Sequence, residues 1–166
     1  MNFLYKAEIM ITPSQTFLNK NKINYKSYTY DCTVYHDFGK FAAKALNMDE
    51  NRVFKTILLR HEKTYVTAIT PVNALISLKN AARIMGLKSL EVADPADAQR
   101  ITGFVVGGIS PFGQKRRTLM LLSEGALEFD EILVSGGRRG FSVGVNPKDL
   151  VKVLDAKVGD FLEHKN

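Results

Sequence analysis

A chain of 166 residues, 45% hydrophobic and 24% charged, has the length and composition of one globular domain with a sizeable core. Lys and Arg number 23 against 17 Asp and Glu, a net charge of +6 that favours an anionic partner such as a nucleic acid. One cysteine, Cys32, excludes an internal disulfide, and no secretory h-region or membrane-spanning run is present, so a reducing, cytoplasmic setting without membrane association is expected.

Residues 1 to 9, MNFLYKAEI, carry no motif and read as an extension before one domain over residues 10 to 166. A helix is expected from residue 13, because Thr12 supplies a cap, Pro13 the first helical position and Gln15 the reciprocal cap. A β-rich run at 23 to 30 follows, then a helix over Asp37 to Leu46, where Phe38, Phe41, Ala42 and Ala45 recur at helical spacing. Strands are expected at 52 to 60 and 64 to 70, and a helix over Ser77 to Met85 closed by Gly86. Asp94-Pro95 opens a further helix; β-rich runs at 104 to 106, 118 to 122, 131 to 135 and 141 to 145 precede a last one opened by Asn146-Pro147. Irregular alternation, with several strands one short turn apart, points to a single mixed α+β domain around a curved sheet rather than a doubly wound parallel fold.

His36, His61 and His164 lack the companions at i, i+2 or i, i+4 that metal sites use, so no metal or cofactor is expected. The signatures of serine nucleophiles, NTP hydrolysis and dinucleotide binding are also missing. Cys32 sits in a polar stretch without a nearby base and reads as an incidental thiol. In the run at 52 to 59, alternation puts Lys55 on the face of Val53, Ile57 and Leu59. That leaves two readings open, a strand-end lysine with a packed stem or a lysine lining a pocket. Two further stretches, FVVGGISPFGQKRR at 104 to 117 and ILVSGGRRGFSV at 132 to 143, set flexible backbone beside cations. Glycine lets a ligand approach backbone amides closely, and neighbouring arginines hold phosphates through forked hydrogen bonds.

VFKTILL at 53 to 59, ADP at 93 to 95, TGFVVGGISPFGQKRR at 102 to 117 and VSGGRRG at 134 to 140 together resemble the YbaK/EbsC family of Cys-tRNA(Pro) deacylases, relatives of the editing domain of prolyl-tRNA synthetases. The resemblance covers about residues 10 to 160. It implies a mixed α/β fold with a barrel-like, largely antiparallel sheet and flanking helices. It also implies a trans-editing enzyme that frees Cys-tRNA(Pro), and Cys-tRNA(Cys) besides, of cysteine by attack of the substrate's own thiol, working beside prolyl-tRNA synthetase. Carried over by position, the catalytic groups are Lys55 and Gly107, and the substrate pocket takes Tyr30, Phe38, Gly108, Ile109, Ser110, Ser135, Gly136 and Gly137. Lys115, Arg116, Arg117, Arg138 and Arg139 are expected on tRNA phosphates. Two departures bear on substrate preference: the stretch from Asp31 to Asp37 is one residue short, and Ser142 stands where many relatives have aspartate. Two other functions remain open, editing of Ala-tRNA(Pro) or another small ester by water attack, and tRNA binding without catalysis.

Overall fold

The computed structural model describes residues 10 to 164; the expected extension over residues 1 to 9 lies outside them. All five expected helices form: α1 (Pro13–Lys20), α2 (Phe38–Ala45), α3 (Leu78–Met85), α4 (Pro95–Thr102) and α5 (Pro147–Leu154). Capping chemistry starts four of them. Thr12 accepts from the Gln15 amide while the Gln15 side chain accepts from the Thr12 amide, and Ser77, Asp94 and Asn146 cap α3, α4 and α5. The exception is α2, whose N-cap Asp37 has left-handed backbone (φ 50°) and makes no side-chain cap.

Among the described residues eight strands accompany the helices: β1 (Tyr25–Thr29), β2 (Phe54–His61), β3 (Thr64–Pro71), β4 (Glu91–Val92), β5 (Leu119–Ser123), β6 (Ile132–Arg138), β7 (Phe141–Val145) and β8 (Lys157–Gly159). β4 and β8, two and three residues long, are too short to show alternation in a sequence. No strand forms at 104 to 106. There the Gly108 amide donates to the Val105 carbonyl at 2.8 Å and Gly107 takes φ 90°, so the glycines impose a turn that overrides the β preference of two valines. β6 in turn runs further than expected. Its pairing with β7 shifts register between Ser135 and Arg138, and the second glycine stretch is a bulge inside the ladder, with Gly137 at φ 106°.

The strands make two sheets, one ordered β1-β7-β6 and one ordered β4-β2-β3-β5-β8. Pairing is antiparallel in the first and across β4-β2-β3, and parallel across β3-β5-β8. Neither order closes on itself, so the expected barrel-like sheet is corrected to two open sheets. Among the described residues a single bridge joins them, the parallel pair Val53 and Leu133. Val53, Leu133, Val72 and Ala43 of α2 pack around it, each at most 4% exposed. Just outside, Arg52 Nη2 donates to Glu131 Oε1 at 2.7 Å and the Tyr28 hydroxyl donates to the same carboxylate at 3.0 Å. Burial and that carboxylate both push the Tyr28 phenol above its usual pKa.

Leu133 is fully buried at the junction, so Leu133→Ala is expected to cost about 2 to 5 kcal/mol by lost burial and residual cavity, measured by urea unfolding. A loss below about 1 kcal/mol would mean that this junction does not hold the sheets together.

Candidate active site

Beyond the Val53–Leu133 bridge the two strands part. β4 pairs with β2 only at Leu59 and Arg60, so the edge of β2 at Lys55 and Thr56 has no strand beside it. A cavity of about 300 Å³ occupies the fork, within the range of small-ligand sites. Lys55 and Ser135 border it from opposite sides, each two residues beyond the bridge. Because the strand's edge meets the cavity, four consecutive residues, Val53 to Thr56, line it. Alternation alone assigned only one face, and Thr56 was missed for that reason. Its hydroxyl is buried without a hydrogen-bond partner.

α2 forms the roof. Gly39 lies so close to the Val72 side chain that any Cβ would collide, and this lets the first turn bring Asp37 and Lys40 to the cavity beside Lys55. Burial lowers the Lys55 pKa below the usual lysine range, Lys40 adds to that shift and Asp37 opposes it. The Phe38 ring lies directly on Gly107, where a Cβ would come within 2.8 Å of three ring atoms. Ser135 Oγ accepts from the Gly137 amide at 3.2 Å, which leaves the Ser135 proton to donate into the pocket. Tyr30 also borders the cavity; burial raises its phenol pKa, and the Ser142 hydroxyl and the Gly140 backbone work against that rise. Ser142 is 5% exposed and pairs across the ladder with Ser135.

This pocket, with one half-buried lysine between two loops, belongs to a chain whose residues 40 to 153 match the model of the aminoacyl-tRNA editing domain. The chain belongs to the aminoacyl-tRNA editing domain family. It is 30% identical over 153 residues to EbsC of Enterococcus faecalis, a provisionally named Cys-tRNA(Pro)/Cys-tRNA(Cys) deacylase, covering 92% of each protein. That likeness bears out the resemblance to the YbaK/EbsC family. A crystal structure of a provisionally assigned trans-editing enzyme for prolyl tRNA synthetase superposes with TM-score 0.82 at 24% identity, covering 92% of this chain and 96% of that one. The hypothetical protein APE2540 gives TM-score 0.82 at 18% identity, covering 91% and 99%. These structures share the mixed α/β fold.

Of the residues expected in the editing pocket, Lys55, Gly107, Tyr30, Phe38, Ile109 and Ser135 border the cavity, and Gly108, Ser110, Gly136 and Gly137 stand behind it. A Cβ on Gly108 would meet the Arg138 backbone at 2.8 Å. Fully buried Ser110 donates to Ser14 Oγ at 2.9 Å and accepts from the Phe112 amide at 3.0 Å. Gly136 packs under the Phe141 ring and its carbonyl takes the Thr12 hydroxyl at 2.6 Å, while a Cβ on Gly137 would touch Phe104 and Thr12. Val106, Val72 and Leu133 complete the apolar wall, with no sequence signal separating them from core residues.

The cations divide. Lys115, Arg116 and Arg117 are exposed, and the amides of the first two donate to the Thr102 and Ile101 carbonyls at the end of α4. The Arg116 guanidinium lies 5.7 Å from the Tyr65 ring centre, in a groove that also includes Lys63 and Leu119. Arg138 instead stacks 4.7 Å over Phe141, and Arg139 stacks 4.7 Å over Phe38. Among the described residues no three His, Cys, Asp or Glu side chains gather as metal ligands, and no helix is long and apolar enough to cross a membrane.

Because the pKa of Lys55 is lower folded than unfolded, the unfolded chain binds more protons between the two values, and stability rises with pH through that window. The ammonium therefore strains the fold at pH 7. Lys55→Met is expected to unfold at the same or higher urea concentration than wild type at pH 7, with the difference shrinking as pH climbs to the ordinary lysine range. A variant clearly less stable at pH 7 would show that the ammonium supports the fold instead.

Proposed function

We propose that this chain, through a domain over residues 10 to 166, is a trans-editing aminoacyl-tRNA deacylase that frees Cys-tRNA(Pro), and also Cys-tRNA(Cys), of cysteine. The observation that carries this reading is the position of Lys55 in a small pocket between Gly107 and Ser135, within a chain of the editing family. The deacylase name of a relative 30% identical over nearly the whole chain supports the substrate class. Prolyl-tRNA synthetase is the partner that supplies the mischarged tRNA, and the cytoplasm is where the two meet.

The chemistry assigned to the substrate is consistent with the groups lining the pocket. Cys32 does not border the cavity, and its Sγ contacts the Val34 carbonyl at 3.8 Å. The substrate's thiol sulfur attacks its own ester carbonyl carbon, a C–S bond forms and the C–O bond to ribose breaks. The thiol proton ends on the ribose oxygen, and water opens the resulting cyclic thioester to free cysteine. Lys55 favours the thiolate and the charge developing on the carbonyl oxygen, while the Ser135 hydroxyl and the Gly107 backbone hold the ester in place.

Deacylation of Cys-, Ala-, Ser- and Pro-charged tRNA(Pro) tests this directly. Wild type and Cys32→Ser should release cysteine at similar rates and leave the other esters largely intact. Lys55→Ala should lose at least about a hundredfold, since one preorganised charge contributes about 3 kcal/mol. Release of alanine as fast as cysteine would replace thiol attack by water attack, and tRNA binding without release of any amino acid would make the chain a binding module.

Lys115, Arg116 and Arg117 are assigned to tRNA phosphates. Substituting both Arg116 and Arg117 by Ala should flatten the slope of log affinity against log salt by roughly 0.7 to 0.9 for each phosphate left without its arginine, raise KM and leave kcat unchanged. Lost turnover at saturating tRNA would place these arginines in the catalytic step.

A further inference from the structure

Arg139 differs from the other cations near the glycine stretches. Its Nε donates to the Val106 carbonyl at 2.8 Å, and the face of its guanidinium covers the Phe38 ring at 4.7 Å. Phe38 itself rests on Gly107. Arg139 therefore touches two elements that border the pocket, α2 at Phe38 and the glycine turn at Val106, from a base on the turn between β6 and β7. That base is firm. Arg138 pairs with Phe141 across the turn, Gly140 takes φ 80°, and the Gly140 carbonyl accepts from the Tyr30 amide at 3.0 Å. The α2 start is held less well by its own residues, because Asp37 makes no cap and carries left-handed backbone. A stacked guanidinium supplies from outside a restraint that α2 lacks.

We propose that Arg139 is a positioning residue that sets the size of the aminoacyl pocket by pinning Phe38 against Gly107, and is not a contact to tRNA phosphate. This rests on the deacylase reading and deepens it. Arg139 then contributes through geometry, using its planar face and its Nε–H. Lysine keeps the charge but has neither feature, so the two roles separate cleanly on one substitution.

The test compares Arg139→Ala, Arg139→Lys, Phe38→Ala and the double variant Arg139→Ala with Phe38→Ala. For each, kcat and KM are measured on cysteinyl-tRNA, with the inhibition constants of prolyl- and leucyl-tRNA as competitors of that reaction and the salt dependence of binding to uncharged tRNA. Pinning predicts that Arg139→Lys behaves like Arg139→Ala. In both, kcat on cysteinyl-tRNA falls, the bulkier esters, which carry no thiol and are bound without turnover, inhibit about tenfold or more better relative to the KM of cysteinyl-tRNA, and the salt slope stays at the wild-type value. Phe38→Ala should do the same, and adding Arg139→Ala to it should change little further, because both act through one ring. A phosphate contact predicts the opposite: Arg139→Lys close to wild type, Arg139→Ala with a flatter slope and higher KM, and independent effects of the two sites. Urea unfolding of the same four variants reads the Arg139–Phe38 coupling without any substrate. If wild type deacylates none of the esters, the functional reading fails while this measurement still decides the stack; additive unfolding effects would overturn the pinning.

Discussion

The two sheets meet through the backbone bridge of Val53 with Leu133, and the pocket exists because the strands diverge just past it. What holds the fork open is the way β2 is fixed. Val53, Phe54, Leu58 and Leu59 each belong to a different apolar cluster, so all four clusters grip the same stretch of seven residues. A strand held that firmly can carry a lysine with an unfavourable burial near its start. Desolvating an ammonium costs free energy and lowers its pKa, and the surrounding core offsets the cost. Lys55 is thus placed by the fold's best-packed segment, and its chemistry is a consequence of where β2 has an open edge.

α1 gives the fork its second support. Its N-terminal residues reach both glycine stretches: the Thr12 hydroxyl donates to the Gly136 carbonyl, Ser14 accepts from Ser110, and the Pro13 backbone lies so near Gly113 that no Cβ fits there. The glycines of the two stretches therefore do different work. Gly107 is bare so that an aromatic ring can lie on it at the pocket; Gly113 and Gly136 are bare so that helix, loop and bulge can interlock behind it.

Helix starts were legible because caps are local: Thr12, Asp94 and Asn146 act on amides within three residues of themselves. The pocket was legible only in part. Lys55 and Gly107 stood out by residue type against their surroundings, whereas Thr56, Asp37 and Val106 became pocket residues through an unpaired strand edge and a close helix approach, both long-range events. Residue type misled at 104 to 106, where valine preference gave way to the turn that glycine required. The surroundings of Arg138 and Arg139 were not legible either, since they stack on Phe141 and Phe38, rings that no local pattern places beside them.

The size of the cavity bears on how an enzyme of this kind chooses its substrate. A pocket of about 300 Å³ with the Phe38 ring over one wall can turn away a bulky aminoacyl group, but any site that admits cysteine also admits alanine and serine. Shape alone therefore leaves the smaller esters undiscriminated, and one missing atom in an apolar site is worth only about 10- to 200-fold. On the mechanism proposed here, the remaining selection comes from reactivity. An alanyl or seryl ester would be bound and oriented yet offer no thiolate, and the pocket supplies no nucleophile in its place. Ser135 and Ser142 could be mistaken for one, but the Ser135 hydroxyl is hydrogen-bonded to the Gly137 amide rather than to a base, and Ser142 lies buried beside Tyr30, whose phenol is itself held above its usual pKa. On the two proposals together, the ring over Gly107 sets the upper limit on size, and the substrate's own sulfur selects among the esters that fit.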